Sequence, residues 1–342
     1  MMIPFKKVIE SSSYLDPFSG FAPREGMVEI RWDPLTRLTS RLIRVTPRTL
    51  PRFNYQEAIS ASLAAKCPFC PENVERMTAR LPKEIFGSDR LEKDGVTIIP
   101  NLLTFDKYAL VAILSPEHFV DLSVMAERQL IVKGITALLD AFCMIRDHDR
   151  NARYFSINCN YMPMAGSSIL HSHIQGVAGK YPTNYLRWML NGSRNFFRNK
   201  ERVFWEALIE EERDVGERFI GTIGRTHWYA PFAPRGNIDL GCIFEERTLF
   251  TVDQREWEHF GSGLARVFKY LDQANVSSFN LTIFSGSDKD EAFRVNTRLV
   301  ARRFVPPVNA ADVNFFEKLH LESMSLVAPE HVALELRTSW GA

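Results

Sequence analysis

Ala165-Gly-Ser-Ser-Ile-Leu-His-Ser-His-Ile-Gln175 is the stretch on which the reading of this chain turns. A strand over His171 to Val177 sends successive side chains to opposite faces, so His171, His173 and Gln175 share one face and Ser172 and Ile174 the other. Neutral imidazole is nucleophilic near pH 7, and its adduct with phosphorus is reactive enough to pass the group onward. The pattern therefore points to double displacement at a phosphorus centre. That chemistry requires one ring nitrogen unprotonated and the other donating to a backbone carbonyl. Gln175 adds an amide donor for a non-bridging oxygen, and Gly166, Ser167 and Ser168 add backbone and hydroxyl donors for the same anion.

Upstream, a strand over Tyr154 to Asn160 reaches this segment through a turn containing Pro163 and Gly166. Before it, Met125, Leu130, Ile131, Ile135, Leu138, Leu139 and Phe142 recur at spacings of three and four, which predicts a helix from Ser123 to Arg146 packed on a sheet. Ser123 and Glu127 make an imperfect cap for it. Earlier strands are expected at Val28 to Trp32, Leu42 to Val45, Val96 to Ile99 and Tyr108 to Leu114.

Downstream, a helical stretch from Thr183 to Glu212 leads to strands at Phe219 to Ile223, His227 to Ala230 and Ile238 to Glu245, then a helix from Gln254 to Gln273. The pair Phe279 to Ser285 and Ala292 to Val300 repeats the order of Tyr154 to Asn160 and His171 to Val177, each pair following a long amphipathic helix. This is a degenerate duplication. It predicts an α+β fold, an antiparallel sheet with covering helices, whose repeated cores span about residues 27–178 and 219–304. The chain divides into an N-terminal half, 1–180, and a degenerate C-terminal half, 181–342. No low-complexity linker separates them, so they should pack intimately.

The balance of charge, 42 Lys and Arg against 41 Asp and Glu, excludes a long-range field that would gather nucleic acid polymers or an anionic membrane. No apolar run has the roughly 18 to 20 residues needed to cross a bilayer, and the N-terminus lacks a signal-peptide plan, so a cytoplasmic protein is expected. The five cysteines are an odd count and are mostly scattered. A disulfide framework is not expected. Only Cys67 and Cys70 lie close together, as a metal-binding pair or as a reduced or redox-active one.

Asn160, Gly166, Ser168, His171, His173 and Gln175 together resemble the signature of the histidine triad superfamily, and more closely that of its galactose-1-phosphate uridylyltransferase family. Ser172 stands where that family has Pro. The resemblance extends to Glu29-Ile-Arg-Trp-Asp-Pro-Leu-Thr36, Cys67-Pro-Phe-Cys-Pro71, Ile99-Pro-Asn101 and Ser115-Pro-Glu-His118, covering about residues 27–180. It implies a duplicated histidine-triad-like fold and a nucleoside monophosphate carried covalently on His173. That group would pass from a nucleoside diphosphate sugar to a sugar 1-phosphate or, in phosphorolytic and hydrolytic relatives that cleave nucleoside diphosphate sugars or dinucleoside polyphosphates, to inorganic phosphate or water.

The same resemblance implies a structural zinc ion held by Cys67, Cys70, His118 and His171. Two thiolates and two imidazoles suit a closed site with no open position for water. Asn101, Asn160, Gly166, Ser168, Gln175 and Arg48 are the implied nucleotide contacts, and a homodimer is the implied assembly. A non-catalytic nucleotide-binding zinc protein would need neither His173 nor Gln175, and their presence argues against it.

The second repeat departs from the family. Phe293-Arg-Val-Asn-Thr-Arg-Leu-Val-Ala-Arg-Arg303 has no histidine where the family often places ligands of a second metal, so no second metal site is expected. Strand alternation would put Arg294, Asn296 and Arg298 on one face, with the two arginines as a candidate acceptor-phosphate site. The acceptor itself is left open between a sugar phosphate and inorganic phosphate. His227, His259 and His320 have no partners at informative spacing.

Overall fold

The computed structural model describes residues 2–43, 51–305 and 310–340. Arg48 and the end of the strand expected at Leu42 to Val45 lie outside the described residues. The chain first forms a ribbon of β1 (Lys7–Asp16) and β2 (Ala22–Trp32), extended by β3 (Thr39–Ile43). Then come α1 (Gln56–Ala64), α2 (Pro71–Met77) and α3 (Lys83–Phe86). The first repeat contains β4 (Leu91–Lys93), β5 (Val96–Pro100), β6 (Tyr108–Ile113), α4 (Leu122–Glu127), α5 (Leu130–His148), β7 (Tyr154–Tyr161) and β8 (His173–Gly179).

Two helices, α6 (Asn184–Lys200) and α7 (Phe204–Val215), lead into the second repeat. It has the same plan: β9 (Phe219–Ile223), β10 (Thr226–Tyr229), β11 (Asp239–Phe244), α8 (Gln254–Gln273), β12 (Phe279–Phe284) and β13 (Asn296–Ala301). The chain closes with the short pair β14 (Phe304–Val305) and β15 (Ala310–Ala311), α9 (Phe315–His320), β16 (Ser323–Ser325) and α10 (Pro329–Trp340).

Among the described residues the strands of the two repeats form one ten-stranded antiparallel sheet, in the order β4-β5-β6-β8-β7-β12-β13-β11-β10-β9. The second half of that order is the first half reversed, repeat for repeat. The duplication is thus a pseudo-twofold axis between β7 and β12, whose register pairs Asn158 with Thr282. The repeated unit is smaller than the sequence reading placed it. Its first copy runs from Leu91 to Gly179, while the early strands at Val28 and Leu42 belong to a separate sheet, β1-β2-β3-β16.

The expected elements shift in three further places. The helix from Ser123 breaks at Gln129, which has φ 50°, and Asp121 in place of Ser123 caps its first piece by accepting from the Val124 N–H at 2.9 Å. The long helical stretch after Thr183 is two helices. The strand expected at Ala292 starts at Asn296, because Phe293 and Asp290 close a turn first.

Alternation explains the sheet's two faces. In β7, Phe155, Ile157, Cys159 and Tyr161 are buried while Tyr154, Ser156, Asn158 and Asn160 are half-buried. The apolar set joins Ile174, Leu110 and Ala112 against α5, and Leu281, Ile283, Leu299 and Trp228 against α8, in one core spanning both repeats. Each such side chain contributes on the order of 1.5–3 kcal/mol by leaving water. The halves are therefore not separable units.

Gly176 shows how closely α5 sits on β8. A Cβ there would lie 2.8 Å from Phe142 Cζ and 2.9 Å from Leu138 Cδ2, both of them fully buried side chains. Gly176→Ala should cost about 1–3 kcal/mol through overpacking. Urea unfolding measures it, and a midpoint equal to that of the unaltered protein would contradict this packing.

Candidate active site

The sheet face away from α5 and α8 is covered at its two ends and open between them. At one end the Cys67–Cys70 knuckle, with Phe69, packs on Ile99, Val111 and Ile113. At the other, α6 and α7 bring Leu186, Met189, Phe204 and Trp205 onto Tyr229 and Ile243. Between these covers, cross-strand pairing aligns Val111, Gln175, Asn158, Thr282 and Arg298 in one row. Continuing the β7–β8 register by two residues sets Asn160 level with His173, and Asn160 in turn pairs with Asn280. The result is a polar trough with a histidine at its edge.

His173 is the first residue of β8. Its Nδ1–H donates to the His171 carbonyl at 2.8 Å, which leaves Nε2 as the nitrogen with the free lone pair. Burial depresses its pKa below the ordinary histidine value, so the ring is neutral at pH 7. The tautomer required by the sequence argument is present, and the carbonyl that holds it is identified. Gln175 lies two residues along on the same face, half-buried.

His171 stands before the strand and is fully buried. Its Nε2–H donates to the Ser115 carbonyl at 2.8 Å, turning Nδ1 toward Cys70 Sγ at 3.7 Å and Cys67 Sγ at 3.9 Å. His118 Nδ1 lies 3.3 Å from Cys70 Sγ. All four ligand atoms fall within 4.8 Å of one another. Tetrahedral bonds of about 2.3 Å to sulfur and 2.0–2.1 Å to nitrogen separate ligand atoms by roughly 3.3–3.8 Å. The residues fit a closed four-coordinate metal site.

Burial lowers the pKa of both His118 and His171, favouring the neutral, ligating form. Burial, then the adjacent Cys67, pushes the Cys70 thiol up to about 12. The Cys70 thiol therefore carries charge there only against a cation. The two histidines of the motif, alike by inspection, stand in different surroundings because one precedes the strand and the other begins it.

The other nucleotide candidates divide. Asn160 Oδ1 accepts from Asn280 Nδ2 at 2.7 Å, on the trough floor. Gly166 closes the β7–β8 turn with φ 88°, and Ser168 is exposed on that turn. Met162 enters the same turn at φ 72°, a strained conformation for a non-glycine residue beside the site. Asn101 follows β5, and its Oδ1 accepts from the Leu103 N–H at 3.0 Å, so it shapes its loop. Ser172, in the place of the family's proline, buries a hydroxyl with no hydrogen-bond partner.

The two arginines of the second repeat do not share an anion site. Arg294 precedes β13 and pairs with Glu206 of α7 at 2.7 Å. Arg298 is clamped by Asp239 through bonds of 2.6, 2.8 and 3.0 Å, and also donates to Tyr185 Oη and the Ala233 carbonyl. Asp239, buried on the neighbouring β11, takes up the charge that a phosphate would have met.

Sequence reasoning missed Arg235. Its guanidinium stacks on the Tyr185 ring at 4.4 Å and, among the described residues, has no ion pair. With Asn280, Thr282 and Glu317 it lines a cavity of about 220 Å³ at the second-repeat end of the trough. No motif marked it, because Arg235 follows an Ala-Pro turn and its partners come from distant segments.

Comparison with known proteins bears on the fold. No family model matches the chain. It is 32% identical over 342 residues to an uncharacterized protein of Archaeoglobus fulgidus, an alignment covering 98% of each chain. Among solved structures it is similar to a GalT-like protein from Arabidopsis thaliana, with a TM-score of 0.68 at 19% identity. An ADP-glucose phosphorylase from the same plant, with bound ADP-glucose, gives 0.69 at 19%, and a uridylyltransferase 0.64 at 19%. Each of these alignments covers 91% of this chain and 98% of the other.

Proposed function

Because this chain belongs to one family with the Archaeoglobus fulgidus protein and has the galactose-1-phosphate uridylyltransferase-like fold, we propose that it is a nucleotidyltransferase acting on nucleoside diphosphate sugars through His173. The observation that carries this reading is the Nδ1–H bond to the His171 carbonyl, which leaves Nε2 unprotonated. Nε2 attacks the α-phosphorus, the bond from that phosphorus to the bridging oxygen breaks, and the sugar 1-phosphate departs. In the second step an acceptor phosphate oxygen attacks, the P–N bond breaks, and Nε2 regains its lone pair. Nδ1–H stays on the carbonyl throughout, stabilising the positive charge of the adduct. Gln175 donates to a non-bridging oxygen where charge builds.

The ion suited to Cys67, Cys70, His118 and His171 is zinc, bound structurally; it would fasten the Cys67–Cys70 knuckle to the segment before β8. The acceptor is a sugar 1-phosphate or, in a phosphorolytic variant of the same chemistry, inorganic phosphate. Similarity to both a uridylyltransferase and an ADP-glucose phosphorylase favours carrying both readings. A homodimer belongs to this reading as well. The β1–β2 ribbon exposes Leu15, Phe18 and Phe21, apolar surface of the kind a partner chain covers.

The test is intact-mass measurement after incubation with a panel of nucleoside diphosphate sugars. One nucleoside monophosphate should be gained and then discharged by the acceptor. No mass gain with any donor would overturn the proposal.

Arg235, which has no ion pair among the described residues, is the cation we assign to the acceptor side. Arg235→Ala should raise the acceptor KM about 10- to 100-fold, the range expected for a lost hydrogen bond to a charged group, with the rate of His173 labelling unchanged. A variant with an unaltered acceptor KM would remove Arg235 from this role.

A further inference from the structure

We propose that Phe69, one of the two residues between the cysteines, is a positioning residue that sets the plane of the His173 imidazole and so couples the metal-binding knuckle to the nucleophile. The role of His173 itself rests on the function proposed above. Phe69 is only 8% exposed, and its ring packs edge-on against His173, with centroids 5.3 Å apart and planes at 75°. The same ring makes a second edge contact with His171 at 6.2 Å and 77°. It therefore bridges the ligating and the reacting histidine. No other aromatic ring of the described residues packs against His173.

The need for such a contact follows from the histidine's own freedom. Its second side-chain torsion is broad and roughly two-fold, and a single hydrogen bond from Nδ1 fixes which edge of the ring faces the His171 carbonyl while leaving the tilt of the ring soft. Tilt decides where the Nε2 lone pair points. An edge-on aromatic neighbour restricts it without consuming a ring nitrogen.

Phe69 can do this because its backbone is itself held. The Cys70 N–H donates to the Cys67 carbonyl at 3.3 Å, and Asn73 Nδ2 donates to that carbonyl at 2.9 Å. Cys70, which follows it, and Cys67, two residues before it, both belong to the metal-ligand set. An ion remote from the chemistry would then orient the nucleophile through one ring.

The experiment compares the zinc-loaded full chain with Phe69→Ala and Phe69→Leu, the latter keeping most of the volume without a flat ring. Three quantities are read: zinc per chain, the ¹⁵N imidazole signals of His173, and the single-turnover rate of its labelling at varied donor concentration. Both variants should keep one zinc. The His173 signals should keep the shifts of an Nδ1–H tautomer but broaden as the ring tilt is freed. The maximal labelling rate should fall on the order of 10- to 100-fold, as expected for a misplaced reacting atom, while half-saturation moves less than about threefold.

The proposal fails if zinc-replete variants keep sharp imidazole signals and the rate, or if only half-saturation moves, which would make Phe69 a wall of the nucleotide pocket. It fails equally if both variants lose zinc, since the residue would then serve the metal site alone. Should no donor label the unaltered protein, the nucleotidyl reading falls, and the imidazole signals still decide the role of Phe69.

Discussion

His173→Ala should abolish the covalent nucleotide adduct and lower turnover by about 10⁴-fold or more, as losing an attacking group does when no neighbour can replace it. The geometry leaves no substitute. His171, the nearest imidazole in sequence, has Nε2 committed to the Ser115 carbonyl and Nδ1 turned toward two sulfur atoms. Gln175 has an amide, which is not a nucleophile at neutral pH.

The fold should tolerate the change, because His173 is half-buried at the trough edge and its hydrogen bond is made within its own segment. Stability is expected within about 1 kcal/mol of the original, which separates loss of chemistry from loss of structure. Intact mass after exposure to donor, with a thermal melt of the same sample, checks both expectations. An adduct persisting in the alanine variant would move the nucleophile elsewhere and sink the mechanism.

The features legible in the sequence are those written locally. Alternation in Tyr154-Phe-Ser-Ile-Asn-Cys-Asn160 announced a half-buried strand, and the spacing of His171, Ser172, His173 and Gln175 marked the candidate reacting face. Even the required backbone acceptor was foreseeable as a need. Which carbonyl meets it depends on the conformation of His171, which stops short of the ladder, and a period-two pattern cannot reveal that.

The features that were not legible depend on partners brought from far away. Arg294 and Arg298 read as one basic face, but the turn at Asp290 and Phe293 delays the strand, and Glu206 and Asp239 reach the two side chains from other elements. Arg235 had the opposite history: unremarkable in sequence, it has no ion pair among the described residues, with Asp239 held by Arg298 and Asp312 by Arg302, although Glu317 lines the same cavity. Phe69 was visible only as filler between two cysteines. Its meaning comes from the sheet face beneath it, where Val111 and Ile113 lie level with Gln175 and His173. Sequence spacing thus named the groups proposed to react, whereas charge compensation between remote segments bears on which arginine is open to a ligand.

Loss of the metal should have the second large effect. Cys70→Ser should reduce bound zinc from one per chain to below about a tenth, because exchanging a thiolate for a neutral hydroxyl removes a quarter of the ligand sphere, and structural sites of this type bind with apparent energies of about 10–16 kcal/mol in small domains. Only part of that energy should appear as lost stability here, since the ten-stranded sheet and its shared core do not depend on the knuckle. A fall on the order of 3–5 kcal/mol is expected, comparable to breaking a buried charged set by removing one partner. The remaining Cys67, His118 and His171 would be left in a pocket with little access to water. Cys143→Ser is the control, because that thiol is exposed and outside the ligand set. Metal analysis and urea unfolding of the three proteins should rank the unaltered chain and Cys143→Ser together, well above Cys70→Ser. If Cys70→Ser keeps its zinc and its unfolding midpoint, the cluster is not a metal site, and the coupling drawn through Phe69 loses its anchor.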